Sequence, residues 1–248
     1  MDYAYEYNDR ISFSRCDIHN RLSVTSLIDA FQDASIFQSE DANVGIEVLR
    51  EHNLLWVLNY WEIEIDRLPG LGERVTVGTY PFDFKSFMGY RNFYLKAEDG
   101  SFPVKANTTW TMVNTEKMVP VKAPDFIVSA YALGPKLDMT YSSRKILLPD
   151  EAGCEVIRAD VRTVELHHLD GNMHVNNCQY INFAMTAIDN ACPSEEAEKI
   201  CALRADYRKQ AHLKDRIYPV VYVAGNMRTV ALNGEDGKPY SVIEVRKR

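Results

Sequence analysis

The sequence predicts an α+β fold made of two copies of one unit. Two amphipathic stretches have the apolar spacing of a helix, and each is followed by runs typical of antiparallel strands. The order of these elements is the same in both halves. A shift of 153 residues places Asp17 on Asp170 and Leu22 on Val175, which indicates an internal duplication.

The first half begins with a strand and continues into a helix and a sheet. Alternating tyrosines predict a strand over residues 3–13. Ser23 is a suitable N-cap for a helix over residues 23–39, which contains no proline. A strand follows over residues 54–67, and Glu62 belongs to a face predicted to be wet. Further strands are predicted over residues 74–80, 87–97 and 104–113.

The second half repeats this order after a proline-containing connection. The strand over residues 156–166 leads through a polar loop to an amphipathic helix, and a strand starts at Ala202. Two final strands are predicted around residues 218–224 and 240–245. The sequence therefore predicts an N-terminal domain over residues 1–118, a linker over residues 119–154 and a C-terminal domain over residues 155–248.

Composition and charge exclude several classes of protein. With 46% hydrophobic and 25% charged residues the chain is an ordinary globular protein. The net charge of −7 argues against nucleic acid as the main partner. The charge is uneven along the chain, because residues 125–248 have a net charge of only −1. No apolar run approaches the roughly 18 residues of a membrane span, and the acidic N-terminus is unlike a signal peptide. Five cysteines without a C-x-x-C pair suit a reducing compartment, and a cytoplasmic location is expected.

The densest polar sequence lies between the strand and the helix of the second half, over residues 167–177. Asp170, Asn172 and His174 alternate there, so their side chains would point the same way in an extended loop. A carboxylate, an amide and an imidazole that converge can supply a base or nucleophile, a carbonyl-polarising donor and a second donor or acid.

Simpler interpretations of the same residues stay open. Asp170-Gly171 is a common turn, Asn176 or Asn177 is a suitable helix N-cap, and surface histidines are frequent. From the residues alone, a turn followed by a cap is slightly favoured over catalysis. The histidine spacing matches no metal motif, so no metal and no cofactor are predicted.

The run Leu169-Asp170-Gly171-Asn172-Met173-His174-Val175-Asn176-Asn177 closely resembles the Asp-x-Asn-x-His-Val-Asn-Asn motif of the acyl-acyl carrier protein thioesterases. The resemblance implies a tandem hotdog fold, in which each repeat is a long central helix wrapped by an antiparallel sheet. It also implies hydrolysis of the thioester that joins a fatty acyl chain to the phosphopantetheine arm of acyl carrier protein. Further segments resemble the family at Leu55-Trp56-Val57-Leu58, Pro69-Gly70-Leu71-Gly72-Glu73, Lys85-Ser86-Phe87-Met88-Gly89-Tyr90-Arg91 and Asp206-Tyr207-Arg208-Lys209-Gln210.

Carried over by position, the resemblance implies that Asp170, Asn172, His174 and Gln210 are the catalytic residues. Plant members have glutamate and cysteine where this chain has Gln210 and Ala211, so no thiol nucleophile is expected there. Asp170 is then the base or nucleophile and Asn172 polarises the carbonyl. His174 positions Asp170 or assists the leaving thiolate, and the Gln210 amide can orient a water.

Candidate residues for binding substrate and partner follow from the same comparison of the two halves. Trp56, Val175 and Asn176 are expected to contact substrate. Apolar residues over 56–61 and 82–94 could line a tunnel for the acyl chain in the first half, and the alternative is that most of them are ordinary core. A homodimer is compatible with the sequence. The candidates for docking the acidic carrier protein are Arg204, Arg208, Lys209, Lys214 and Arg216. The alternative is an ordinary solvated face, which is the more frequent role of basic residues on a strand.

Two alternatives use the same fold. An acyl-CoA thioesterase or hydratase would share the loop, although the motif, the tandem length and the missing nucleotide signature favour a carrier-protein substrate. A catalytically silent acyl-binding protein is supported only by Gln210.

Overall fold

The computed structural model describes residues 3–192 and 200–248. These residues form two compact units. The first comprises the chain up to Asn59 together with Ile63–Tyr141, and the second comprises Tyr60–Glu62 together with the chain from Ser142 onward. Each unit packs one long helix against an antiparallel sheet, which confirms the predicted α+β class.

The first unit is built around an 18-residue helix, α1 (Val24–Asp41). The hydroxyl of Ser23 accepts the N–H of Ser26, so this serine caps the helix as predicted. The sheet has the strand order β1-β3-β4-β5-β2, and α1 packs on β3. The first strand stops at Arg10, before exposed Phe13, and is shorter than predicted. The remaining elements are β1 (Tyr5–Arg10), α2 (Ile46–Glu51), β2 (Leu54–Ile65), β3 (Arg74–Lys85), β4 (Met88–Ala97), β5 (Val104–Asn114), β6 (Val119–Pro120) and α3 (Asp125–Val128).

The second unit repeats the arrangement around α4 (Asn177–Ala191), which packs on β10 and β11. Its antiparallel sheet has the order β9-β12-β11-β10-β7, and β8 pairs with β10. The sequence did not predict β11, although the Gly225-Asn226 turn before it is a hairpin signal. The strands are β7 (Glu155–Arg158), β8 (Arg162–Thr163), β9 (Ile200–Tyr207), β10 (Arg216–Ala224), β11 (Met227–Asn233) and β12 (Pro239–Lys247).

The prediction of one continuous strand over residues 156–166 is wrong. The structure has the short strands β7 and β8 there, followed by one 3₁₀ turn over Leu166–His168. The side chain of Glu165 accepts the backbone N–H of His168, and Nδ1 of His168 accepts the backbone N–H of Glu165 at 2.9 Å. Because these two bonds cap the turn, the chain leaves the strand before Leu166.

Much of the predicted linker lies against the two sheets. We call residues 131–146 the covering segment. In the first unit, Oδ1 of buried Asn92 accepts the N–H of Leu137 at 3.2 Å and the hydroxyl of Tyr141 at 3.0 Å. Because this segment has little regular structure of its own, side chains of the strands satisfy its backbone donors.

The covering segment also explains a difference at Glu62. This residue was predicted to face water but is only 4% exposed. Its Oε2 accepts the N–H of Ser142 at 2.8 Å, and Oδ2 of Asp206 accepts the N–H of Ile146 at 3.4 Å in the same unit. A wet face predicted from alternation alone is therefore wrong here, because a distant segment covers it.

Candidate functional site

The polar loop of the second unit is a tight turn closed by Asp170. Its Oδ1 accepts the N–H of Asn172 at 2.8 Å and the N–H of His174 at 3.4 Å. The N–H of Asp170 donates to the carbonyl of His174 at 2.8 Å, and Met173 has a positive φ of 61°. The expectation of an extended loop with three parallel side chains is wrong, because the carboxylate folds the chain into an Asx turn.

The end of this turn is tied to the helix that follows. Leu169 and Val175 form a β-bridge, and Val175 is buried at 4% exposure. The Oδ1 of Asn176 accepts the N–H of Cys178 at 3.1 Å and caps α4. Of the two residues predicted to bind substrate here, Val175 therefore lies in the core and Asn176 holds the helix start.

His174 is half-buried and meets a second histidine. Its ring lies edge-on to that of His212, with 4.8 Å between the ring centroids. Burial lowers the pKa of His174, a positive charge on His212 lowers it further, and the carboxylate of Asp170 acts in the opposite direction. The neutral imidazole is therefore the favoured form of His174 near neutral pH.

Hydrogen bonds fix the turn that carries His212. The N–H of buried Ala211 donates to the hydroxyl of Tyr180 at 2.8 Å, and the carbonyl of Ala211 accepts the N–H of Val175 at 3.0 Å. Gln210, predicted to be catalytic, is exposed beside this turn.

His212 itself is held by a carboxylate. Its backbone N–H donates to Oδ2 of Asp215 at 2.9 Å, and its Nδ1 lies 3.9 Å from the same oxygen. The hydroxyl of Tyr240 also donates to Oδ2 of Asp215, at 3.0 Å. No role for His212 was predicted from the sequence. The available signal was a histidine two residues after Gln210, which falls on Gly70 of the first half when Glu73-Arg74 is aligned with Asp215-Arg216 after a gap.

The same loop occurs in the first unit without the same chemistry. Oδ1 of Asp17 accepts the N–H groups of His19 and Arg21, both at 2.9 Å, and Asn20 has a φ of 56°. A bridge between Cys16 and Leu22 matches the bridge in the second unit. The turn is therefore a property of the fold, whereas the amide and the imidazole at positions 172 and 174 belong to the second unit alone.

Two of the predicted docking residues are engaged inside the second unit. Nε of Arg204 donates to the hydroxyl of Tyr60 at 2.8 Å, and its Nη1 donates to Glu244 at 3.0 Å. Nε of Arg208 donates to Asp206 at 2.8 Å. Nearby carboxylates thus offset part of both charges.

The charges of the other three predicted docking residues differ in how accessible they are to a partner. Lys209 pairs with Asp236 at 3.0 Å, and the guanidinium of Arg216 lies 5.4 Å from the ring centroid of Tyr218. Lys214 is exposed, and its side chain has no ion-pair partner in the part of the chain that the structure describes. Lys214 is therefore the cation most available to an acidic partner.

Trp56 belongs to the first unit and packs in an apolar cluster. Its ring lies 6.0 Å from that of Phe84, and a Cβ placed on Gly89 would be 3.1 Å from the indole. Glycine at position 89 therefore leaves room for the indole of Trp56. The buried members of the cluster are Val44, Leu49, Leu54, Met112, Ala123, Ile127 and Tyr131.

Within residues 3–192 and 200–248, no group of three or more histidine, cysteine, aspartate or glutamate side chains is arranged to hold a metal ion. No helix in these ranges has the length and apolar character to span a bilayer.

Family models match both halves of the chain. The acyl-ACP thioesterase N-terminal domain matches residues 2–131, and the C-terminal domain of the same family matches residues 155–235. The chain belongs to the acyl-ACP thioesterase family. The resemblance predicted from the Asp170–His174 motif is thereby confirmed.

Named relatives of this acyl-ACP thioesterase family member are plant proteins. A palmitoyl-acyl carrier protein thioesterase of Gossypium hirsutum is 24% identical over 199 residues, which is 76% of this chain and 47% of the relative. An acyl-[acyl-carrier-protein] hydrolase of Cuphea viscosissima is 26% identical over 167 residues, 64% of this chain and 39% of the relative. The chain thus spans less than half the length of these relatives.

Solved structures of acyl-ACP thioesterases share the fold. One from Bacteroides thetaiotaomicron superposes with a TM-score of 0.89 at 21% identity, covering 100% of this chain and 98% of that one. The 12:0-ACP thioesterase of Umbellularia californica gives a TM-score of 0.84 at 15% identity, with 99% and 97% coverage. The predicted tandem hotdog fold is confirmed.

Proposed function

We propose that this chain hydrolyses the thioester of fatty acyl-acyl carrier protein and releases free fatty acid and holo carrier protein. The observation that supports this most directly is the turn at the start of α4, where Asp170, Asn172 and His174 lie within one hydrogen-bonded loop. The first unit has the same turn, but His19 and Arg21 stand there in place of Asn172 and His174. The chain also belongs to a thioesterase family.

The two oxygens of Asp170 have different tasks in this proposal. Oδ1 accepts the backbone bonds that close the turn, whereas Oδ2 has no hydrogen-bond partner among the described residues. Oδ2 therefore takes a proton from water, or attacks the thioester carbon directly. In the direct route, the C–S bond breaks as Asp170 forms a mixed anhydride with the acyl group. Water then hydrolyses this anhydride to free fatty acid and the Asp170 carboxylate, and the released proton passes to the thiolate. In the water route, the water oxygen bonds to the carbonyl carbon, the C–S bond breaks, and the proton held by Asp170 passes to the thiolate.

The neighbouring polar groups assist the same step. The exposed amide of Asn172 donates to the carbonyl oxygen as negative charge develops on it. His174 orients the site as a neutral imidazole. Strong acid assistance is less necessary than for an amide substrate, because a thiol leaves with a pKa of about 8.5. The Gln210 amide orients the water.

The two units divide the remaining work. The N-terminal domain, over residues 1–118, binds the acyl chain through apolar residues that include Trp56, each buried methylene contributing about 0.8 kcal/mol. The C-terminal domain, over residues 155–248, carries the chemistry, with Val175 and Asn176 beside the substrate. The linker over residues 119–154 joins them.

Acyl carrier protein is the proposed partner. It docks on Arg204, Arg208, Lys209, Lys214 and Arg216 of the second unit, which carries less net negative charge than the first half of the sequence. The chain is also proposed to form a homodimer. The free cysteines of the described chain support a reducing compartment, for which we propose the cytoplasm.

Release of free thiol from acyl carrier protein and from CoA substrates tests the activity. Asp170→Asn keeps an oxygen that can accept the two backbone N–H groups, so the turn should be retained while the charge is lost. We expect turnover to fall about 100-fold or more. Asp17→Asn makes the same change in the first unit and should keep wild-type turnover.

The other possible results of these assays each point to a different function or a different catalytic residue. Wild-type turnover by folded Asp170→Asn would show that this carboxylate is not the base or nucleophile. Faster release from CoA than from the carrier protein would make the chain an acyl-CoA thioesterase. Acyl binding without thiol release would make it an acyl-binding protein.

A further inference from the structure

The turn that carries His212 does not need a histidine to form. In the first unit, Gly70 donates its N–H to Oε2 of Glu73 at 2.9 Å, and the carbonyl of Gly70 accepts the N–H of Glu73 at 3.1 Å. His212 and Asp215 make the same two bonds at 2.9 and 3.1 Å. Since glycine forms the same turn, the imidazole at position 212 serves another purpose.

The residue opposite this turn also differs between the units. In the first unit Arg21 forms a β-bridge with Gly70. In the second unit the corresponding residues are His174 and His212, and their rings are in edge-on contact at 4.8 Å. The contact between two imidazoles therefore belongs to the unit that also contains Asn172.

We propose that His212 is a positioning residue for hydrolysis, which holds the His174 imidazole edge-on. Through the same contact, His212 disfavours a positive charge on His174. The inference rests on the proposed thioesterase function and deepens it. His212 acts through His174 and does not itself contact the substrate.

The charged groups around the pair fit this role. Two imidazoles in contact resist being protonated together, because each positive charge disfavours the other. The carboxylate of Asp215, fixed by the hydroxyl of Tyr240, lies 3.9 Å from Nδ1 of His212. On the other side, Asp170 faces His174 and favours charge there, so His212 opposes this tendency. The hydroxyl of Tyr180 of α4 lies at the same turn, and this phenol is neutral because burial raises its pKa.

Two variants of the full chain test the role of His212. His212→Gly installs the residue that the first unit uses in this turn, and His212→Phe keeps an aromatic edge contact without a titratable nitrogen. His167→Gln is the control, because His167 is exposed and its ring contacts the ring of His168, with 4.0 Å between the centroids. The readouts are the titration of His174 by nuclear magnetic resonance and the pH dependence of kcat/KM for an acyl carrier protein substrate.

We expect the titration midpoint of His174 to rise by about half a pH unit or more in both variants. The acid limb of kcat/KM should move to higher pH by the same amount, while the control stays unchanged. Unchanged midpoint and acid limb in His212→Phe would overturn the proposal, even if His212→Gly lost activity through a looser turn. If the midpoint shifts in both variants but the wild-type chain hydrolyses no acyl substrate, the thioesterase function is refuted and the coupling of the two rings is upheld.

Discussion

Asp17 and Asp170 close the same turn in the two units of this chain. Each carboxylate accepts the backbone N–H groups of the residues two and four positions later. The fold therefore requires a hydrogen-bond acceptor at both positions, and the proposed chemistry requires a negative charge at only one of them. Stability and turnover can be separated by substitutions at this pair.

Alanine at either position should weaken the fold equally and affect turnover unequally. Asp17→Ala and Asp170→Ala each remove the acceptor of two backbone N–H groups, which should lower the free energy of unfolding by about 1–2 kcal/mol. Only Asp170→Ala should also abolish hydrolysis. Urea denaturation followed by circular dichroism measures the first effect, and thiol release measures the second. An Asp170→Ala variant as stable as wild type would contradict the structural role.

Local signals predicted the helices and the repeated loop well. Ser23 and Asn176 cap the two long helices as the sequence indicated, because a cap is decided by a few adjacent residues. The shift of 153 residues that aligned Asp17 with Asp170 also aligns their turns in the structure. Where neighbours in sequence determine geometry, the sequence was sufficient.

Features that depend on distant residues were not predictable in the same way. The alternation of apolar and polar residues along the strand places Glu62 on the solvent-facing side. In the structure it is buried, and its carboxylate accepts the N–H of Ser142, 80 positions later. His212 is nearly 40 residues from His174, and the β9–β10 connection brings them into contact. No periodicity within either segment contains this information.

The 3₁₀ turn before the site should be sensitive to pH through His168. Its Nδ1 accepts the N–H of Glu165, so this bond requires that nitrogen to be unprotonated. Burial lowers the pKa of His168, and the charge of His167 lowers it further. Because the unfolded chain binds the proton more readily, the stabilisation is complete above the unfolded pKa of about 6.5 and is lost as pH falls below it.

The expected loss at low pH is about 1 kcal/mol, the net contribution of one hydrogen bond. Urea unfolding at about pH 5.5 and about pH 7.5 brackets the ordinary histidine pKa and measures it. His168→Asn offers an amide oxygen in place of Nδ1 and should be less dependent on pH than wild type. The same pH dependence in wild type and His168→Asn would assign the effect to other groups.

Tyr180→Phe should destabilise the turn that carries Gln210 and His212. The hydroxyl of Tyr180 is the acceptor for the N–H of buried Ala211, so phenylalanine leaves that donor unpaired. We expect a loss of about 1–3 kcal/mol in the free energy of unfolding. Tyr218→Phe is the control, because its hydroxyl makes no hydrogen bond to the described residues, and it should change stability by less than about 0.5 kcal/mol. Equal effects in the two variants would argue against the Ala211 bond.

Asn92→Leu should detach the covering segment from the first unit. The buried amide accepts from Leu137 and Tyr141 and donates to the carbonyl of Ala106 at 3.1 Å. Leucine has the same branching but is larger, and it leaves these groups unpaired, which should cost about 2–4 kcal/mol. Amide hydrogen exchange at Leu137 should accelerate. Asn8→Ala removes an exposed bond to Thr76 and should change neither quantity, and slow exchange at Leu137 in Asn92→Leu would contradict the anchoring role.

Lys214→Glu should weaken carrier-protein binding without affecting the chemical step. This lysine is exposed, and its ammonium has no carboxylate partner in the described chain. Reversal of its charge therefore breaks no ion pair within the chain and mainly repels an acidic protein that docks there. We expect KM for acyl-acyl carrier protein to rise about five-fold or more at low salt, with kcat unchanged. KM for a small acyl-pantetheine thioester should stay constant, because that substrate lacks the acidic protein. Lys145→Glu makes the same charge change at an exposed lysine outside the proposed docking set. A rise in KM of the same size for both variants would show a general charge effect and remove Lys214 from the docking surface.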